Sequence, residues 1–140
     1  MRVQDVDYVN ALKELSLLVS KYTEVRDHGT IDEVQNLRDD MGEQLFWFGP
    51  KYATLRADMG RAEARYKRCL AEKTKYWKEE LKARGNAELI KTNAILDCDD
   101  LQEEYLDRCE DFYLAKSLIE RTDQILNSIA TRFKLMNKHE

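Results

Sequence analysis

The sequence predicts an all-α fold of long antiparallel helices with coiled-coil-like packing. Three observations carry that prediction. Only five Gly and one Pro occur in 140 residues, so long stretches run without a helix breaker. Strong helix formers dominate, with charged residues at 36% and hydrophobic residues at 43%. Apolar residues recur at steps of three and four, which sets them along one face of a helix. The length fits a single domain spanning 1–140. Long helices with one dry side leave apolar stripes that favour assembly into a homo-oligomer.

A first helix is expected over 1–28. Tyr8, Leu12, Leu15, Val19 and Tyr22 follow a heptad-like seam, with Ala11, Leu18 and Val25 beside it. His28-Gly29 closes it, Gly being the usual residue past a helix end. Thr30-Ile31-Asp32-Glu33 has the form of a capping box and opens a second helix, expected over 30–84, with Val34, Leu37, Met41 and Leu45 facing inward. Phe46-Trp47-Phe48 cannot all face one side, and Gly49-Pro50 follows them. Proline lacks the backbone donor and constrains its predecessor, which predicts a kink or break at 48–50, a hydrophobic plug beneath it and helix again from Lys51. The seam then continues through Leu55, Met59, Ala62, Tyr66, Cys69, Leu70, Trp77 and Leu81, with Lys73 in its middle. Arg84-Gly85-Asn86 reads as a turn, 87–96 as a short helix, and 98–138 as a long final helix capped by Asp97 or Asp99. The final seam is Leu101, Tyr105, Cys109, Phe112, Ile119, Leu126, Ile129, Phe133 and Met136.

The net charge of −4 hides a segregated distribution. Residues 51–91 carry twelve Lys/Arg against six Asp/Glu, net +6, whereas 92–115 carry one against eight, net −7. Segregated charge bears on partners and not on fold. The basic stretch holds a stripe of Arg61, Arg65, Arg68, Lys75 and Lys82, flanked by Lys67 and Lys78, with Lys73, Tyr76 and Trp77 close by. Cations take phosphates and adjacent rings stack on bases, which is what binding to a single strand of nucleic acid requires. The competing structural reading is a solvated face laced by i,i+4 pairs such as Glu63–Lys67, or cations paired with the acidic helix across an antiparallel turn.

Enzymatic constellations are missing from the sequence. Asp97-Cys98-Asp99-Asp100-Leu101-Gln102 lacks the fifth-position oxygen ligand and sixth-position Gly of a calcium loop. His28 and His139 are isolated, and no phosphate loop or GxSxG is present. The chain therefore reads as a non-enzyme with no cofactor and no metal. Cys69, Cys98 and Cys109 form no CxxC and read as reduced thiols of a cytosolic protein. With neither an apolar leader nor a run long enough to cross a bilayer, a soluble, cytoplasmic protein is expected.

The basic helix, the Gly turn, the short helix, the Asp-led cap and the long final helix together resemble the UvsY-like recombination mediators of tailed bacteriophages over about residues 45–135. Tyr66-Lys67-Arg68, then Lys73 ahead of Tyr76-Trp77, then Gly85, carry the resemblance. The family's basic and aromatic pairs map onto Lys73 and onto Tyr76-Trp77, while its second basic position falls on Ala71, with Lys75 and Arg68 nearby. The resemblance implies a non-catalytic all-helical homo-oligomer, a ring of about six or seven subunits. Such a ring binds single-stranded DNA, helps displace a single-strand-binding protein and loads a recombinase. On this chain the implied DNA-binding set is Arg65, Arg68, Lys73, Lys75, Tyr76, Trp77 and Lys78. The alternative expectation is a coiled-coil adaptor or assembly protein that binds a protein partner and no nucleic acid.

Overall fold

The computed structural model describes residues 3–82 and 86–138, which are helical almost throughout. The elements are α1 (Val3–His28), α2 (Ile31–Leu81), α3 (Ala87–Asp97) and α4 (Asp99–Lys138). Among the described residues there is no strand, so the all-α class holds. The turn at Arg84-Gly85, His139 and the side chain of Tyr8 lie outside the described residues. The chain divides into two units, one of residues 1–53 and 113–140 and one of residues 54–112. Both α2 and α4 contribute to each unit.

In the first unit, α1, the start of α2 and the end of α4 share one core. Val19 and Val25 meet Val34, Leu37 and Met41, and Ile125 and Ile129 close the cluster. Leu15 and Met41 are fully buried, and an aliphatic side chain so removed from water contributes about 1.5–3 kcal/mol. Gly29 ends α1 with its N–H on the Val25 carbonyl at 2.8 Å. A Cβ there would lie 2.5 Å from that oxygen, so the position requires Gly through close approach. Thr30 Oγ1 accepts the Glu33 N–H at 3.2 Å and starts α2, with Asp32 and Glu33 in the first turn to suit the helix dipole. Arg132 Nη1 donates to the Arg26 carbonyl at 3.4 Å, satisfying one of the acceptors that the end of α1 leaves open.

The inner face of α4 differs from its predicted seam. Ala115 and Thr122 are fully buried, while Ile119 and Leu126 are half-buried and Met136 is exposed. Thr122 is tolerated inside because its hydroxyl donates to the Leu118 carbonyl at 2.8 Å.

Helix α2 continues through Pro50, so a break of the helix at 48–50 is corrected. Phe46, Trp47, Gly49 and Pro50 are all exposed. Pro50 has no N–H, so the Phe46 carbonyl lacks its usual i+4 donor. The aromatic plug is corrected as well. Phe48 alone is buried, at 1% exposure, whereas Phe46 and Trp47 stand 74% and 64% exposed in an edge-to-face pair with centroids 5.6 Å apart.

The second unit packs the later part of α2 against α3 and the start of α4. Ala62, Ala94 and Cys98 are almost fully buried, and Tyr66 stacks on Tyr105 with centroids 6.3 Å apart and planes 11° from parallel. Cys69 and Cys98 are joined by a disulfide across a sequence separation of 29. This corrects the expectation of reduced thiols, and Cys109 is the remaining free cysteine among the described residues. Asn86 caps α3 by accepting the Leu89 N–H at 2.7 Å. Neither Asp97 nor Asp99 is seen capping α4 through its side chain. Cys98 is the one residue between α3 and α4, its carbonyl accepting the Gln102 N–H at 3.0 Å. Helix α2 stops at Leu81, and Lys82 takes a left-handed backbone conformation with φ 42°.

Candidate nucleic-acid interface

The candidate residues all lie on the part of α2 that belongs to the second unit, between Thr54 and Leu81. This stretch is helical because it contains Gly60 alone as a breaker and is rich in Ala, Glu, Lys, Arg and Leu from Arg61 to Leu81. Its inner direction is fixed by Ala62, with Tyr66, Cys69, Leu70 and Trp77 half-buried around it. At about 100° per residue, Arg68, Lys75 and Lys78 project from the opposite side. All three are exposed, and none has an ion pair or hydrogen bond among the described residues. From Arg68 to Lys78 the row extends about 15 Å at 1.5 Å per residue. These are the cations best placed for a polyanion, since nothing must be broken to engage them.

The remaining predicted residues are already engaged. Arg65 Nη2 pairs with Glu104 Oε1 at 2.6 Å, one contact between the basic helix and the acidic start of α4. Both side chains are nearly half exposed, so the pair contributes under about 1 kcal/mol and an arriving phosphate can displace Glu104. Lys67 pairs with Glu63 at 2.7 Å, and Arg61 with Asp58 at 3.1 Å. Lys73 resolves its place in the apolar seam by snorkelling, with its Nζ 5.7 Å from the centre of the Tyr76 ring.

The two aromatic residues part company. Tyr76 is 48% exposed and meets Trp77 edge to face, with centroids 5.2 Å apart and planes at 80°. Trp77 is half-buried and its Nε1–H donates to Asp97 Oδ2 at 2.7 Å. Tyr76 therefore keeps about half of its surface in water, while Trp77 ties α2 to the end of α3. The structure brings Lys73 and Tyr76 together and sets Arg68, Lys75 and Lys78 on a separate outer row. Two features lay outside the sequence reading. One is the Trp77–Asp97 bond, whose only sequence signal was Asp97 near a predicted helix end. The other is the Cys69–Cys98 bond, which no spacing rule singles out among three cysteines.

No family model, curated protein or solved structure matches the chain. The resemblance to UvsY-like mediators thus rests on the sequence pattern over about residues 45–135 alone. Among the described residues no group of His, Cys, Asp and Glu is arranged to hold a metal ion. Among them, too, no helix is long and apolar enough to cross a membrane.

Proposed function

We propose that this chain is a non-catalytic single-stranded DNA-binding protein of the recombination-mediator type. In this reading it acts in the cytoplasm as a homo-oligomer, with α2 bent near Pro50 and helical seams joining subunits. It displaces a single-strand-binding protein and helps load a recombinase, with no cofactor of its own. The observation that supports it is the outer row of Arg68, Lys75 and Lys78, exposed and unpaired on a basic helix inside an acidic chain. Tyr76, half exposed beside Lys73, supplies a ring face for a base, a contact that contributes about 1–3 kcal/mol per base. Oligomerisation multiplies a short cation row into a continuous surface.

The test is fluorescence anisotropy of a labelled oligothymidine against the protein at low salt, with a duplex of equal length as control. Tighter binding of the single strand supports the proposal. Absence of binding at micromolar protein refutes it.

One observation favours a second reading. Phe46 and Trp47 leave an aromatic pair largely in water on the first unit, a feature suited to a protein partner. A coiled-coil adaptor or assembly protein needs such a surface and no nucleic acid. A chain that ignores DNA but whose partner binding fails on Trp47→Ala would be of that kind.

A further inference from the structure

Beyond the nucleic-acid reading, and independent of it, the first unit carries an open groove between α1 and α4 of about 670 Å3. Its α1 wall runs from Leu12 to Thr23, about 16 Å or three helical turns. Short hydroxyl side chains, Ser16, Ser20 and Ser117, line the groove and give it depth. Leu17 and Leu114 stand on its two walls at 65% and 60% exposure. One cation comes from each wall, Lys13 from α1 and Arg121 from α4, and no Asp or Glu lines the groove. Neither cation has an ion-pair partner among the described residues. This unit as a whole carries eleven Lys/Arg against thirteen Asp/Glu, net −2, so an acid-free groove with two unpaired cations stands out from its surroundings.

We infer that this groove receives an acidic amphipathic helix of a partner protein. The occupant is about three turns long. It presents leucine-class side chains at i, i+3 or i+4 and i+7 to Leu17 and Leu114, and carboxylates on its flanks to Lys13 and Arg121. Seated there, it joins α1, α2 and α4 as a fourth helix and covers Leu17 and Leu114. The charge of the groove selects the occupant: a basic amphipathic helix, equally apolar, meets two like charges and is rejected.

The probe is a blocked synthetic helical peptide with leucines at that spacing and glutamates between them, compared with a peptide in which every glutamate is lysine. Binding to the full chain is followed by isothermal titration, and its location by amide chemical-shift changes. The expected result is saturable binding of the glutamate peptide at least about tenfold tighter than the lysine peptide, with shifts centred on Leu17, Ser20, Ser117 and Arg121. Lys13→Glu with Arg121→Glu reverses the preference. Leu17→Ser with Leu114→Ser abolishes binding at unchanged helix content, since both side chains are exposed. Equal binding of the two peptides, no binding, or shifts confined to Arg68–Lys78 overturns the inference. Self-association that disappears in the Leu17→Ser, Leu114→Ser variant also overturns it, because the occupant is then a second copy of this chain.

Discussion

Replacing Cys69 and Cys98 together by Ser removes the disulfide cross-link between the basic helix and the α3–α4 junction. The bond closes a loop over a sequence separation of 29 residues. On the chain-entropy relation, a loop of that length restricts the unfolded chain by about 12 cal/mol/K, or about 3.6 kcal/mol at room temperature. That figure is a sizeable fraction of the 5–15 kcal/mol or so typical of a folded domain. Cys98 is 1% exposed and Cys69 is half-buried, so the bond is shielded on its Cys98 side. The assay is urea unfolding followed by helical circular dichroism, with and without a dithiol reductant, on the wild-type chain and on the double variant. With a denaturant slope of about 2 kcal/mol/M, the midpoint of the second unit should fall by about 1–2 M. Reductant should shift the wild type to the variant's midpoint and leave the variant unmoved. Cys109→Ser, the control, should retain the wild-type midpoint. A thiol titration of the unfolded, unreduced protein should find Cys109 alone. Three titratable thiols, or coincident unfolding curves, would refute the reasoning.

Three further outcomes follow from local geometry. Gly29→Ala places a Cβ 2.5 Å from the Val25 carbonyl oxygen and should cost about 1–3 kcal/mol in chemical denaturation, whereas Gly42→Ala, whose Cβ meets nothing within 4 Å, should cost nothing or stabilise slightly. Lys82→Gly relieves the left-handed backbone at φ 42° and should raise stability by about 1 kcal/mol, read as a higher melting temperature. Asp27 is held below its ordinary 3.8 first by the hydrogen bond from Arg26. Its carboxylate therefore contributes stability above that value and loses it as the pH falls through the lower folded one, so the difference between wild type and Asp27→Asn should vanish in strong acid.

Local rules were legible in the sequence wherever one residue and its near neighbours decide the outcome. The Thr30 cap, the Gly29 stop and the inner row of Val34, Leu37 and Met41 depend on contacts a few residues apart or on helical periodicity. The turn of α4 toward Ala115 and Thr122 was not legible, because a small and a polar side chain weigh little in an apolar pattern. The fate of Phe46-Trp47-Phe48 depended on how the helix passes Pro50. Continuity keeps the 100° step, and that step buries only one of three consecutive residues.

The candidate site shows the same division. Periodicity put Arg68 and Lys75 on one stripe of α2 with Lys78 flanking it. Which cations would be engaged depended on the neighbouring helix: Arg65 meets Glu104 from α4, and Trp77 meets Asp97 from the end of α3. Those are contacts of high sequence separation, and no single-helix pattern contains them.

The most direct test of the account is the salt dependence of oligothymidine binding, compared between the wild type and Lys75→Ala with Lys78→Ala. Each phosphate contact on a single strand adds about 0.7 to the slope of log affinity against log salt. The account predicts that the double variant keeps its helix content, binds more weakly and shows a slope shallower by about 1.4 per chain engaged. An unchanged affinity and slope would contradict it, and would remove the outer cation row from any role in binding nucleic acid.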